Sequence, residues 1–219
     1  MGRDKMAGNQ TASVTDEITN NLGREILRGL FPPGAILWAK GLLVTRPRRG
    51  SRIRPLKDWN FLDPAVLGWL RASATPRHFI IELLEVRLGF ECEAAALAAS
   101  RNNPDEIVAI REAFEAMRAA SSGQGDPVLS DAAFHEAVLA ATGNRFFLPL
   151  SALIHTALQY SVPTTNALFG HPVGDLDAHG KVLKAIESGD SARARKAMHD
   201  MLSEVLARVR TAAELTGAG

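Results

Sequence analysis

The sequence predicts a mainly α-helical protein, with one short basic β-hairpin near the N-terminus and an all-helical bundle over the C-terminal two-thirds. Three observations lead there. The chain has a single Tyr but abundant Ala, Leu and Glu, a composition that favours helices over sheets. Beyond Pro55 no strand pattern is visible. The same region is punctuated by helix-start signals at Thr75-Pro76, Pro104-Asp105, Asp126-Pro127, Asn144, Gly174-Asp175 and Gly189-Asp190-Ser191.

The polar segment 1–13 is expected to fray, and it has no apolar core of the kind a secretory signal carries. Val14, Ile18, Leu22, Ile26 and Leu27 recur at helical spacing, so a first helix is expected from Val14 to Gly29, where glycine ends it. Phe31-Pro32-Pro33-Gly34 then forces a turn. Leu42–Thr45 and Ser51–Ile53 read as two strands flanking Arg46-Pro47-Arg48-Arg49-Gly50, a hairpin with a basic tip. Asp63-Pro64 starts a short helix with Val66, Leu67, Trp69 and Leu70. Long helices follow over about 76–100, 104–121, 128–142, 145–168, 175–188 and 191–214. The expected division is a frayed N-terminus at 1–13, a region with the hairpin at 14–56, a linker with a short helix at 57–75, and a helical domain at 76–216.

Bulk properties narrow the function. A formal net charge of +1 excludes a globally basic protein, so any nucleic-acid surface must be a local patch. Cys92 is the sole cysteine, which rules out an internal disulfide and favours a reducing, cytoplasmic setting with a buried inert thiol. No apolar run approaches the roughly 20 residues of a membrane span. Glycine-rich phosphate loops, nucleophile elbows and paired-cysteine metal motifs are missing from the sequence.

Three sets of residues carry chemistry. Asp131 and His135 are four apart, so on a helix they project from one face and can chelate a divalent cation if other helices supply ligands. His179, early in a later helix, is such a source. The same spacing also occurs on solvated helix faces. Arg87 lies in the apolar run Ile80–Glu91, where a guanidinium requires an acceptor. That acceptor is either a nearby acid (Glu91 at i+4, or Glu85) or the carboxylate of a ligand. Finally, the stretch from Lys40 to Lys57 holds seven Lys or Arg and no acid. It reads either as a solvated face or as a wing touching phosphates through Arg46, Arg48, Arg49 and Arg52.

Taken together, these segments resemble the GntR family of transcription regulators, FadR subfamily, over nearly everything from Val14 to Leu215. The resemblance rests on Ile26-Leu27-Arg28-Gly29 with Pro33-Gly34-Ala35-Ile36-Leu37, and on the wing from Ala39 through Gly50. It continues in Glu85-Val86-Arg87, in Asp131 to His135 followed by Gly143-Asn144, and in His179–Ile186 with the Gly189-Asp190 turn. It implies an N-terminal winged helix, a homodimer, operator DNA as partner, and a helical domain of the FCD type with a central polar pocket. In many members one Asp and three His bind a metal there, zinc in the first instance, and a small carboxylate such as a sugar acid completes the site. By position Asp131, His135 and His179 match three ligands, and Arg87 matches the arginine that reads the carboxylate. The fourth ligand falls on Met201. His199, two residues earlier, is about 200° around the helix and faces elsewhere. Direct hydrogen bonding of a sugar acid by Asp131, His135 and His179, without metal, remains the alternative.

A second departure concerns DNA reading. The family places two helices between the Pro-Gly-x-x-Leu turn and the wing, and the second enters the major groove. Here Leu37 is followed by Trp38 and directly by Ala39-Lys40-Gly41-Leu42, so about 25 residues of a helix-turn-helix have no counterpart. The expected function is a ligand-responsive transcription regulator, a repressor, and not an enzyme. The alternatives are an effector-binding protein that has lost specific DNA binding and, last, a metal-dependent enzyme, for which no separate general acid or base is visible.

Overall fold

The structure is a computed structural model that describes residues 43–46, 50–63, 66–68, 77–169 and 175–215. The chain divides into two compact units, Met1–Ala74 and Thr75–Gly219.

In the first unit, β1 (Leu43–Arg46) and β2 (Gly50–Ile53) form an antiparallel pair with Leu43 opposite Ile53 and Arg46 opposite Gly50. This is the hairpin expected from the two strands flanking Arg46–Gly50, with the first strand one residue later and the second beginning one residue earlier. Arg46 and Arg52 lie within its strands. Arg48, Arg49 and the expected helix from Val14 to Gly29 lie outside the described residues. After β2 a single 3-10 turn, Leu56–Asp58, leads to Trp59, which is buried. Its indole Nε1 donates to the Arg54 carbonyl at 2.9 Å, so the one polar atom of the ring is satisfied. Residues 66–68 are helical, inside the short helix expected after Asp63.

Among the described residues the second unit is a bundle of six α-helices: α1 (Arg77–Arg101), α2 (Pro104–Ser121), α3 (Pro127–Ala141), α4 (Ser151–Phe169), α5 (Leu176–Glu187) and α6 (Ser191–Leu215). Their starts follow the capping chemistry of the sequence. Asn103 caps α2 by accepting from Asp105 N at 3.0 Å, with Pro104 in the first turn. Asp126 caps α3 by accepting from Val128 N and Leu129 N at 2.8 and 3.0 Å. Asp175 does the same for α5. One boundary differs from expectation. The helix expected from 145 begins at Ser151, after a 3-10 turn over Leu148–Leu150. Pro149 explains the delay, since a proline ring clashes with the preceding helical turn and lacks the N–H that turn would need.

Helix α1 runs along α6 and also touches α3, α4 and α5, while α2 lies along α3 and α5 along α6. Ala94, Ala95, Ala98 and Ala99 line its second half, and such small side chains let neighbouring helices approach closely. The main core gathers there with Ile110, Met117, Phe134, Ile154, Ile186 and Met198. A second cluster, Ile80, Leu84, Ala157, Leu206 and Val209, packs at the start of α1. Along α1, Arg87 and Glu91 fall between the residues of these two clusters. The polar pair is therefore set where apolar packing flanks it on both sides.

Removing the α3 cap by Asp126→Ala leaves two N–H groups unpaired and is expected to lower stability by about 1 kcal/mol. Urea unfolding checks this, as a lower midpoint with an unchanged slope.

Candidate metal and effector centre

Three helices bring five polar side chains to one buried place. Helix α1 supplies Arg87 and Glu91, α3 supplies Asp131 and His135, and α5 supplies His179. Arg87 and Glu91 are each only 1% exposed, so neither charge is satisfied by water. Arg87 Nε donates to Glu91 Oε1 at 2.5 Å. The other carboxylate oxygen, Oε2, sits against His135 Nδ1. Glu85 plays no part here, because it pairs at the surface with Arg210.

Across the ring, His135 Nε2 is 3.2 Å from Asp131 Oδ1 and 3.4 Å from His179 Nε2, while His179 Nε2 is 3.5 Å from Asp131 Oδ1. These three atoms form a nearly equilateral triangle. Four-coordinate zinc with bonds of about 2.0–2.1 Å has ligand atoms about 3.3–3.4 Å apart, so the triangle has the size of one tetrahedral face. The tautomers are set by the outer partners. His179 Nδ1 is 2.8 Å from the Asp175 carbonyl, which only accepts, so Nδ1 carries the proton and donates. The carboxylate of Glu91 places the same demand on His135 Nδ1. Both imidazoles thus turn Nε2 inward, the arrangement found in metal-ligating histidines. Asp131 Oδ1 is buried and makes no well-formed hydrogen bond, and Glu91 Oε2 and His135 Nδ1, though in close ionic contact, share that condition. With both Nε2 atoms unprotonated, three acceptor atoms this close repel one another unless a cation or a donor such as Arg87 Nη2 faces them.

Without a metal the cluster is balanced by its own charges. Burial raises the Asp131 carboxyl, but the contacts and charges of His135 and His179 outweigh it and hold the group well below the usual carboxylate range. Burial likewise raises Glu91, yet Arg87 and His135 bring it down to about 2. Burial lowers the His135 imidazole, but Glu91 and Asp131 overcome it and raise the group above its ordinary value. The neighbouring Cys92 thiol is pushed up to about 11 by burial and by Glu91 and Glu93. It stays protonated and is a poor ligand.

One contact competes with a metal. Arg87 Nη2 is 3.2 Å from His135 Nε2, and that lone pair serves the guanidinium or a metal but not both. A bound metal therefore requires this contact to be released, while the Nε contact to Glu91 is compatible with it. The rim is aromatic and apolar. Phe134 packs edge-on against His179 and His135, with centroids 5.0 and 5.8 Å apart. Met201 is buried, whereas the His199 side chain is 57% exposed and lies beside Asp200 at 3.7 Å. The helical offset between positions 199 and 201 thus decides which of the two enters the bundle.

The residues that sequence pattern singled out for the bundle, Arg87, Asp131, His135 and His179, come together. Glu91 is the residue that pattern undervalued. Its place at i+4 from Arg87 was visible as an ion pair, but its contact with His135 on another helix was not.

The FCD-domain family matches residues 82–204, more than half of the chain. The chain belongs to the FCD-domain family. Among its relatives is an uncharacterized HTH-type transcriptional regulator of Escherichia coli, YieP. It is 26% identical, with the match covering 84% of this chain and 90% of the relative. The galactonate operon transcriptional repressor of the same organism is 26% identical over 91% of this chain and 98% of the relative. That match runs over 226 positions, more than the 219 residues of the whole chain, so stretches of the repressor have no counterpart here. Of solved structures, the Streptococcus agalactiae GntR protein shares the fold with a TM-score of 0.51 at 20% identity, covering 90% of this chain and 100% of that one. Lar, which controls expression of the Listeria monocytogenes agr system, has a TM-score of 0.62 at 12% identity, covering 93% and 99%. Among the described residues no helix is long and apolar enough to cross a membrane.

Two substitutions test the electrostatic account. Arg87→Met strands the Glu91 carboxylate without its guanidinium in the bundle and is expected to cost about 3–5 kcal/mol. His199→Ala, at an exposed site, is expected to stay within about 0.5 kcal/mol of the parent. Equal urea midpoints for the two variants would contradict the burial assigned to the pair.

Proposed function

We propose that this regulator is a metabolite-responsive repressor whose bundle binds a divalent metal through Asp131, His135 and His179, together with a small carboxylate effector read by Arg87. The observation that supports it is the triangle of inward-facing Nε2, Nε2 and Oδ1 atoms, with each Nδ1 held by an outer acceptor. The donor set of two imidazoles and one carboxylate suits zinc. When bound, the metal supplies a Lewis-acidic position open to an oxygen ligand, because Met201 offers no strong donor in place of a fourth histidine. Charge also favours an acid as effector. Arg87, Glu91 and Asp131 sum to one negative charge, and a dication turns this into one positive charge, which a monocarboxylate neutralises. The likeness to the galactonate operon repressor favours a sugar acid.

In this reading the effector domain spans 76–216, the linker 57–75 and the winged-helix region 14–56, and the protein acts as a cytoplasmic homodimer. Effector binding changes operator affinity through differential binding to two states. Arg46, Arg48, Arg49 and Arg52 contact phosphates. A second reading rests on a specific observation, the direct passage from Leu37-Trp38 to Ala39-Lys40-Gly41 with no room for a recognition helix. On that reading the protein binds its effector normally, while its wing meets DNA weakly and without sequence preference.

The metal is tested by stripping the protein with a chelator and adding back zinc. At a hundredfold excess over Kd, zinc is expected to stabilise the fold by about 2.7 kcal/mol. Asp131→Asn and His179→Ala are expected to lose that gain, and a parent protein that melts identically with and without zinc would sink the metal. Binding of D-galactonate and related hydroxy acids by calorimetry then tests the effector class, with Arg87→Lys expected to weaken it. For DNA, affinities for different duplexes separate the two readings. A preference that changes with effector supports the repressor. Uniform binding that fades between about 50 and 200 mM salt supports the second reading.

A further inference from the structure

We propose that Glu91 is the positioning residue that ties the metal centre to the carboxylate reader, its two oxygens fixing His135 on one side and Arg87 on the other. This rests on the metal reading above and deepens it. Glu91 would touch neither metal nor effector. Its Oε2 sits against His135 Nδ1, and its Oε1 accepts from Arg87 Nε at 2.5 Å.

The geometry makes each contact do something definite. A histidine that offers Nε2 to a metal must keep its proton on Nδ1, and an acceptor at Nδ1 enforces that tautomer, orients the ring and makes Nε2 more basic. His179 obtains this from the Asp175 main-chain carbonyl, an acceptor fixed by the helix cap itself. Among the described residues no main-chain acceptor meets His135 Nδ1, which instead faces the Glu91 carboxylate from another helix. The same side chain grips the guanidinium at Nε, so the Nη edge of Arg87, whose Nη2 faces His135 Nε2, can turn toward a ligand once a metal takes that Nε2. One carboxylate on α1 therefore sets the angle of a ligand on α3 and of the reader on α1. Its burial at 1% exposure means that water cannot substitute for it. The surface ion pairs of this bundle, such as Arg111 with Glu187 and Arg195 with Glu93, lack that double attachment and lie in solvent.

The consequence is specific to a carboxylate. A glutamine of the same shape has one accepting oxygen and one donating amide. It can serve His135 or Arg87, but it turns a donor toward the other. The full-length protein, its Glu91→Gln variant and its Asp131→Asn variant would each be titrated with cobalt(II), followed by the visible absorption of the bound ion and by competition with a chelator. Glu91→Gln is expected to weaken cobalt binding by about 10–100-fold and to change the absorption bands, with helix content retained. If the lone substitution fails to fold, Arg87→Met/Glu91→Leu removes the guanidinium together with the carboxylate and leaves His135 Nδ1 facing no acceptor at position 91. It too is expected to bind cobalt at least about tenfold more weakly than the parent.

Parent-like affinity and spectrum in Glu91→Gln, or in the double variant where that is the folded one, would overturn the positioning role while leaving the metal reading intact. A parent protein that binds no cobalt, indistinguishable from Asp131→Asn, would overturn both together. A merely structural Glu91 would lower the melting temperature without moving the cobalt spectrum, which also counts against the proposal.

Discussion

A guanidinium and two carboxylates inside a helical bundle constrain everything packed around them. Arg87, Glu91 and Asp131 lie where water does not reach, and each charge is tolerable only because another group faces it at hydrogen-bonding distance or close to it. The requirement fixes more than local geometry. Helix α1 must present Arg87 and Glu91 on one side, α3 must present Asp131 and His135 opposite them, and α5 must start close enough for His179 to close the ring. A bundle held by apolar contacts alone would tolerate small rotations of these helices. One holding this cluster tolerates few, since a turn of α3 would strand an acid in a medium that solvates it poorly.

The apolar parts serve that arrangement. The alanine-rich second half of α1 lets the neighbouring helices close around it, and the larger Ile110, Met117, Phe134, Ile154 and Met198 fill the remaining space. The cluster around Ile80, Leu84 and Leu206 encloses the other end of α1. The Asp175 cap carries two duties, since its side chain accepts from the first N–H groups of α5 while its carbonyl holds His179 Nδ1. Local helix termination and site geometry are thus the same event at that residue.

The departures from the family pattern bear on different halves of the proposed mechanism. In the proposed metal site Met201 would put a soft thioether where the family pattern has an imidazole, leaving Asp131, His135 and His179 as the strong donors. The direct join between Leu37-Trp38 and Ala39-Lys40 bears on the proposed reading of DNA, whereas every residue of the polar cluster belongs to the unit Thr75–Gly219.

The sequence by itself determined the helical class, five of the six bundle boundaries to within a few residues, the hairpin, and the identity of four polar residues in the centre. Those features are written in short-range signals, namely caps, prolines, and the three-to-four-residue spacing that puts Asp131 and His135 on one face. Even Pro149, which delays α4, was present in the sequence as a local rule. Tertiary structure decided what no spacing encodes. It decided that Arg87 spends its Nε on Glu91, that Glu91 reaches across to His135, and that two Nε2 atoms and one carboxylate oxygen meet within 3.2–3.5 Å. Such contacts join helices tens of residues apart, so they depend on how the helices pack. A charge or an imidazole on a buried face reveals that it needs a partner, but only the packing of the other helices determines which partner it meets.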